Sequence, residues 1–204
     1  MIRRLLVDVT PLRSSRDFRR LWAGSLLSAI GGQMTVFAVA LQVFLLTGSS
    51  LAVGAVGLAD AVPAITCGLL AGSLIDARDR RMLALVASSV LLLVSLGFAA
   101  QAFAGGGQAW LLYGLVAVQS LARSVNAPAQ RTFLPRLLPA EQLAAGAALT
   151  MLVMHASMVV GPSLAGLIAA AGGLKLCYLI DAASFLGALY AVYRLPPMRP
   201  DGDG

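Results

Sequence analysis

Few side chains in this 204-residue sequence can do chemistry, and a handful of them are embedded in stretches of Ala, Leu, Val and Gly. Asp60 is one. An ionisable residue in such surroundings is a functional candidate, and a carboxylate there is suited to reversible protonation. The competing reading is a hydrogen-bonded structural Asp. Gln119, Arg123, Asn126 and Gln130 follow one another at i, i+4, i+7 and i+11, which places them on one helical face. A guanidinium within an apolar span costs at least ~2.5 kcal/mol on insertion, so it faces a cavity or a partner. Arg123 lies ~20 Å along a helix from Trp110, at about 1.5 Å per residue. From there it either joins a cavity or proton relay, or extends its head towards the nearer interface. His155 is the single histidine and sits among Met151, Met154 and Met158. It reads either as a substrate-lining or proton-sensing group or as a packed core residue with Met as filler. Asp181 reads as a cap or helix–helix contact. Cys67 and Cys177 have no CxxC or Cys/His spacing around them, so no metal site, disulfide framework or cofactor is expected. There is no GxSG-type nucleophile to face His155, and no catalytic constellation, so an enzyme is not expected.

The elements that must hold these residues follow from composition. Hydrophobic residues make up 59% of the chain and charged residues 12%. Soluble domains are roughly 45–50% apolar and about 25% charged, so an ordinary soluble domain is excluded, as is disorder. Apolar runs cover 21–46, 51–75, 82–104, 109–129, 143–171 and 176–193. Each has the length of a spanning helix, and none alternates as a barrel strand would. The expected fold class is an all-α membrane protein, a six-helix transmembrane bundle over 21–195. A basic arm precedes it at 1–20, and a flexible tail follows at 196–204. No removable signal peptide is apparent. Gly24, Ser28, Gly31 and Thr35 give the first run a small-residue face suited to close packing.

The formal net charge is +6. Its placement argues for membrane orientation, not for nucleic acid. If the N-terminus is cytoplasmic, 13 of the 15 Lys and Arg residues fall on cytoplasmic segments, leaving Lys175 outside and Arg123 within a span. Both termini are thus expected in the cytoplasm of a bacterial cell with a multi-pass protein in its inner membrane.

Four motifs point further. Gly72-Ser73-Leu74-Ile75-Asp76-Ala77-Arg78-Asp79-Arg80-Arg81, between the second and third runs, resembles the G-x-L-x-D-R-x-G-R-R signature of the major facilitator superfamily. Ala77 and Asp79 replace that signature's first basic residue and its second Gly. Gly161-Pro162-Ser163-Leu164-Ala165-Gly166 in the fifth run resembles the G-P-x-x-x-G core of the antiporter signature. The stretches 126–135 and 179–185, with the opening Asp17-Phe18-Arg19-Arg20-Leu21-Trp22, are similar to the drug and siderophore exporter branch.

The resemblance implies the N-terminal six-helix half of a twelve-span transporter, with spans one, two, four and five lining a central cavity. It implies a small-molecule substrate, proton coupling, a lipid bilayer, and a second half supplied by a missing C-terminal bundle or a second copy. It also implies that Gly72, Asp76, Arg80 and Arg81 form a latch broken as the cavity switches. Their plainer reading is a solvated orientation signal. In Gly161, Pro162 and Gly166 it implies an antiporter-type kink that restrains leakage. The alternatives are a non-transporting membrane fragment and a half-transporter that works only as a dimer.

Overall fold

The computed structural model describes residues 8–76, 80–105 and 107–194, with the side chains of 69–76, 80, 129 and 131 outside the description. The described chain is all helical. A short α1 (Thr10–Ser14) leads into α2 (Arg16–Thr47), followed by α3 (Ser50–Asp76), α4 (Arg80–Phe103) and α5 (Ala109–Arg131). A single-turn α6 (Leu134–Leu137) and a 3₁₀ turn (Ala140–Gln142) connect to α7 (Leu143–Gly172) and α8 (Leu174–Tyr193). Among the described residues, the long helices α2, α3, α4, α5, α7 and α8 lie over the apolar runs to within a turn, except that α2 extends back through Arg19 and Arg20 to Arg16. Ser15 explains that start. Its side chain accepts from Phe18 N at 3.2 Å, and Asp17 occupies the first turn, where a negative charge is favoured. At the other end Gly48 takes φ +63°, the left-handed C-cap that ends the helix before α3.

Among the described residues, five helices are long and apolar enough to cross a membrane: α2, α3, α4, α7 with its preceding turn, and α8. The helix α5 has the length but not the apolarity, because Gln119, Ser120, Arg123, Ser124 and Asn126 interrupt it. Most of that polar stripe points into the bundle. Gln119 and Ser120 are buried, and Arg123, Ser124 and Asn126 are half-buried.

The helix α8 packs against α2, α4 and α7, while α5 packs against α3 and α4. The small-residue face expected of the first run is the α2–α8 seam. A Cβ added at Gly24 would come within 3.0 Å of Ala191 Cβ, and one at Gly31 within 2.8 Å of Asp181 Oδ1. Gly161 is buried where α7 crosses α2 against Gln33 and the Ile30 carbonyl, and α7 continues as helix through Pro162. Gly166 is looser, with Phe37 no closer than 4.0 Å to an added Cβ.

The core near the α2–α3 turn contains Met34, Val39, Val43, Phe98, Leu112 and Tyr178. The Phe98 and Tyr178 rings stack there at 5.5 Å. Tyr178 Oη donates to Gln42 Oε1 at 2.7 Å, and the Gln42 and Gln101 amides exchange hydrogen bonds at 3.1 and 3.0 Å. With so little water-accessible alternative in a bilayer, such interhelical bonds hold α2, α4 and α8 in register.

Candidate functional site

Asp60 and Arg123 meet. Arg123 Nη2 lies 2.6 Å from Asp60 Oδ1, joining α3 to α5. Ser120 braces the pair, its hydroxyl donating to the Asp60 carbonyl at 2.6 Å, and about two turns away along both helices Tyr113 donates to the Ala52 carbonyl at 3.0 Å. The two charged side chains are 37% and 47% exposed, so they are partly open to their surroundings and not sealed in the core. They line a cavity of about 220 Å³ with Thr35, Val39, Val56 and Gln119. A carboxylate and a guanidinium so placed can form a charge-assisted bond and break it when either group finds another partner.

The rest of the polar face of α5 continues away from this pair. Gln130 Nε2 donates to Asn126 Oδ1 at 3.2 Å, and longer contacts of 3.4 and 3.5 Å join Asn126 to Ser88 of α4 and Gln130 to Ser25 of α2. Ser25 and Gln130 also border a second, larger cavity of about 540 Å³. Its walls are otherwise mainly apolar, with Phe18, Trp22, Leu134 and Met154 among them. Trp22 is fixed in the wall by its indole N–H, which donates to the Leu149 carbonyl of α7 at 3.1 Å. That volume lies in the range of small-molecule pockets. The two cavities follow one another along α2 and α5, and their walls come from α2, α3, α5, α6 and α7, not from α4 or α8.

The third polar centre is the Asp181 that sequence alone marks as a cap or contact. Asp181 is fully buried between α2, α4 and α8. Its Oδ2 accepts from Thr35 Oγ1 and from Ser95 Oγ, both at 2.7 Å. Its Oδ1 has no hydrogen-bond partner. A helix–helix contact it is, but one that gathers two hydroxyls from other helices. Depth carries a signal: counted from the helix ends at Leu174 and Phe103, Asp181 and Ser95 lie at ~11 and ~12 Å, at about 1.5 Å per residue.

The other expected residues separate. His155 is exposed on α7, so it is not the packed core histidine of one reading, and it is not in the wall of either cavity. Its neighbours Met151 and Met154 do border the larger cavity. Of the four latch residues, Gly72, Asp76 and Arg80 lie outside the described side chains. Arg81 is described: its Nη2 donates to the Tyr193 carbonyl at 2.6 Å, and its guanidinium sits 6.0 Å from the Tyr193 ring centroid. A cation there also meets the negative end of the α8 dipole. Among the described residues no group of His, Cys, Asp and Glu is arranged to hold a metal ion.

The sequence also matches known proteins. A family model described as transmembrane secretion effector matches residues 7–202. The chain is 26% identical over 187 residues to the uncharacterized MFS-type transporter YfiS of Bacillus subtilis, covering 90% of this chain and 43% of that protein. It is 24% identical over 183 residues to macrolide efflux protein A of Streptococcus pyogenes, covering 89% and 45%. It is 26% identical over 196 residues to the enterobactin exporter EntS of Shigella boydii, covering 96% and 47%. The chain thus spans somewhat under half the length of these relatives. Five apolar helices of membrane-spanning length, packed as a bundle and matched by this family along almost the whole chain, make it a multi-pass membrane protein. The chain belongs to the transmembrane secretion effector family, within the major facilitator superfamily of transporters.

Proposed function

We propose that this chain is the N-terminal six-span half of an efflux transporter in a bacterial inner membrane, with both termini cytoplasmic and α5 spanning as the fourth of its six helices. A second six-helix half completes it, supplied by further chain or by a second copy. Rocking of one half against the other exposes the cavities alternately to the two sides. The cargo is a drug-like or siderophore-like small molecule, in keeping with relatives named for macrolide efflux and enterobactin export. It rests against Trp22, Met151, Met154 and the other apolar walls of the larger cavity.

The observation that carries the reading is the Asp60–Arg123 pair in the wall of a cavity on the same groove. Proton uptake by Asp60 releases Arg123, which then turns to Gln119 or to cargo, and proton release restores the pair. The latch of Gly72, Asp76, Arg80 and Arg81 holds one of the two states. Gly161, Pro162 and Gly166 keep α7 close to α2 and limit leakage.

The test is export of a fluorescent macrolide analogue from vesicles containing this chain with a matching second half, under an imposed pH gradient. Asp60→Asn is expected to remove gradient-driven export and leave insertion intact, and Asp76→Asn to abolish export with insertion likewise intact. Unchanged gradient-driven export by Asp60→Asn removes Asp60 from coupling. Absence of export by the wild-type chain with any second half sinks the transport reading.

A further inference from the structure

The mechanism above leaves one buried carboxyl unused. Asp181 is 0% exposed, and both hydroxyls that reach it bond the same oxygen. The other oxygen, Oδ1, is without a partner and faces Gly31, where an added Cβ would approach it to 2.8 Å. The charges around it are sparse. The helix α2 has no ionisable side chain after Arg20, and α4 has none after Arg81. The helix α7 has only His155, which is exposed, and α5 contributes Arg123, whose charge reaches Asp181 without contact. On α8 itself, Cys177 donates to the Ala165 carbonyl and Tyr178 to Gln42, so neither faces the carboxyl. Arg123 is already engaged by Asp60. An isolated buried charge costs several kcal/mol unless it is paired or neutralised. A proton on Asp181 neutralises it.

A proton also has a route. Thr35 bonds Asp181 on one side and borders the cavity of the Asp60–Arg123 pair on the other. That cavity has polar side chains from all three helices, Thr35, Asp60, Gln119 and Arg123, and is large enough for several waters. We propose that Asp181 is a proton-binding site that exchanges with the α2–α3–α5 cavity through the Thr35 hydroxyl. In uptake, a hydronium in the cavity gives a proton to Thr35 Oγ1 as the Thr35 O–H proton passes to Asp181 Oδ2. The hydronium becomes water, the hydroxyl is regenerated, and the carboxylate becomes a carboxylic acid. Release is the reverse. The site deepens the proton-coupled reading and rests on it for its use in turnover, but not for its existence.

The experiment is infrared spectroscopy of the full chain, labelled with ¹³C-aspartate and held in lipid vesicles, during a jump in bulk pH. The wild type is expected to show, besides the signal of Asp60, a second carboxylic-acid band that appears and disappears with pH. Asp181→Asn should abolish this second band and Asp60→Asn should retain it. Ser95→Ala, which keeps the carboxyl but removes one donor, should shift the band. Thr35→Val should slow its response about tenfold or more. A band that is unmoved by both Asp181→Asn and Ser95→Ala overturns the site, as does a band that never responds to pH. If Asp181→Asn fails to fold, Ser95→Ala decides. An unslowed response in Thr35→Val overturns the route. A chain that exchanges the proton yet exports nothing with any second half refutes the transport reading and leaves this site standing. Export without exchange at Asp181 does the opposite.

Discussion

Asp60 and Arg123 are joined at 2.6 Å, yet each is over a third exposed. A pair sealed in protein would cost roughly 3–5 kcal/mol to break by removing one partner. This pair lines a cavity, and Asp60→Asn keeps an oxygen for Arg123 to bond, so that variant should fold, with a thermal midpoint in detergent close to wild type, and any loss of coupling is a loss of chemistry. Gly31 behaves oppositely. Gly31→Ala drives a Cβ onto Asp181 and Ser184, and overpacking of this kind costs about 1–3 kcal/mol. Gly32→Ala next to it meets nothing within 4 Å and should be neutral. Thermal unfolding of the two variants should separate clearly; equal midpoints would mean that α2 moves off α8 without cost. At this scale the sequence was informative about which residues are unusual and much less about their partners. The period of α5 placed Gln119, Arg123 and Asn126 on one face, but nothing in the period selects Asp60 as the ligand of Arg123. Asp181 looked ordinary for the same reason: its meaning comes from Thr35 and Ser95, which lie 146 and 86 residues away.

Helix boundaries were legible because apolar length and turn chemistry agree at almost every end. Arg16 was the exception, since the arm's arginines hide a helix whose start is set by the Ser15 cap. What the apolar runs do not encode is which helix meets which. Small residues supply part of that information: Gly24 and Gly31 mark the α2–α8 seam, and Gly161 marks the α2–α7 crossing. Gly24→Leu should force α2 from Ala188 and Ala191, and a disulfide engineered across that seam should then form poorly in oxidising conditions. The end of α8 offers a second test at this scale. Arg81→Gln removes a charge-assisted bond to the Tyr193 carbonyl and a favourable dipole contact, together worth about 1 kcal/mol. Faster amide hydrogen exchange over the last turn of α8, with the rest of the bundle unchanged, is the expected result.

For the whole molecule, the asymmetry of Lys and Arg predicts which ends face the cytoplasm. Cysteines introduced at Ser49 and Gln108, in the uncharged turns, should react with an impermeant thiol reagent added outside intact cells. A cysteine at Glu141 should react only after the membrane is opened. Labelling of Glu141→Cys from outside would invert the topology.

The polar face of α5 has a further consequence for how the protein is made. As α5 emerges from the ribosome, its own apolarity does not commit it to the lipid. Its Arg123 and Ser120 find their partners on α3, and Asn126 finds Ser88 on α4, both of which are synthesised earlier. Insertion of α5 is then a templated event, in which two helices already in the membrane act as chaperones for a third. Asp60→Asn keeps an oxygen for Arg123 and the carbonyl that Ser120 bonds, so it leaves this template in place, whereas bulkier disruption of the inner faces of α3 and α4 would be felt first as failed biogenesis of α5, before any cargo is moved.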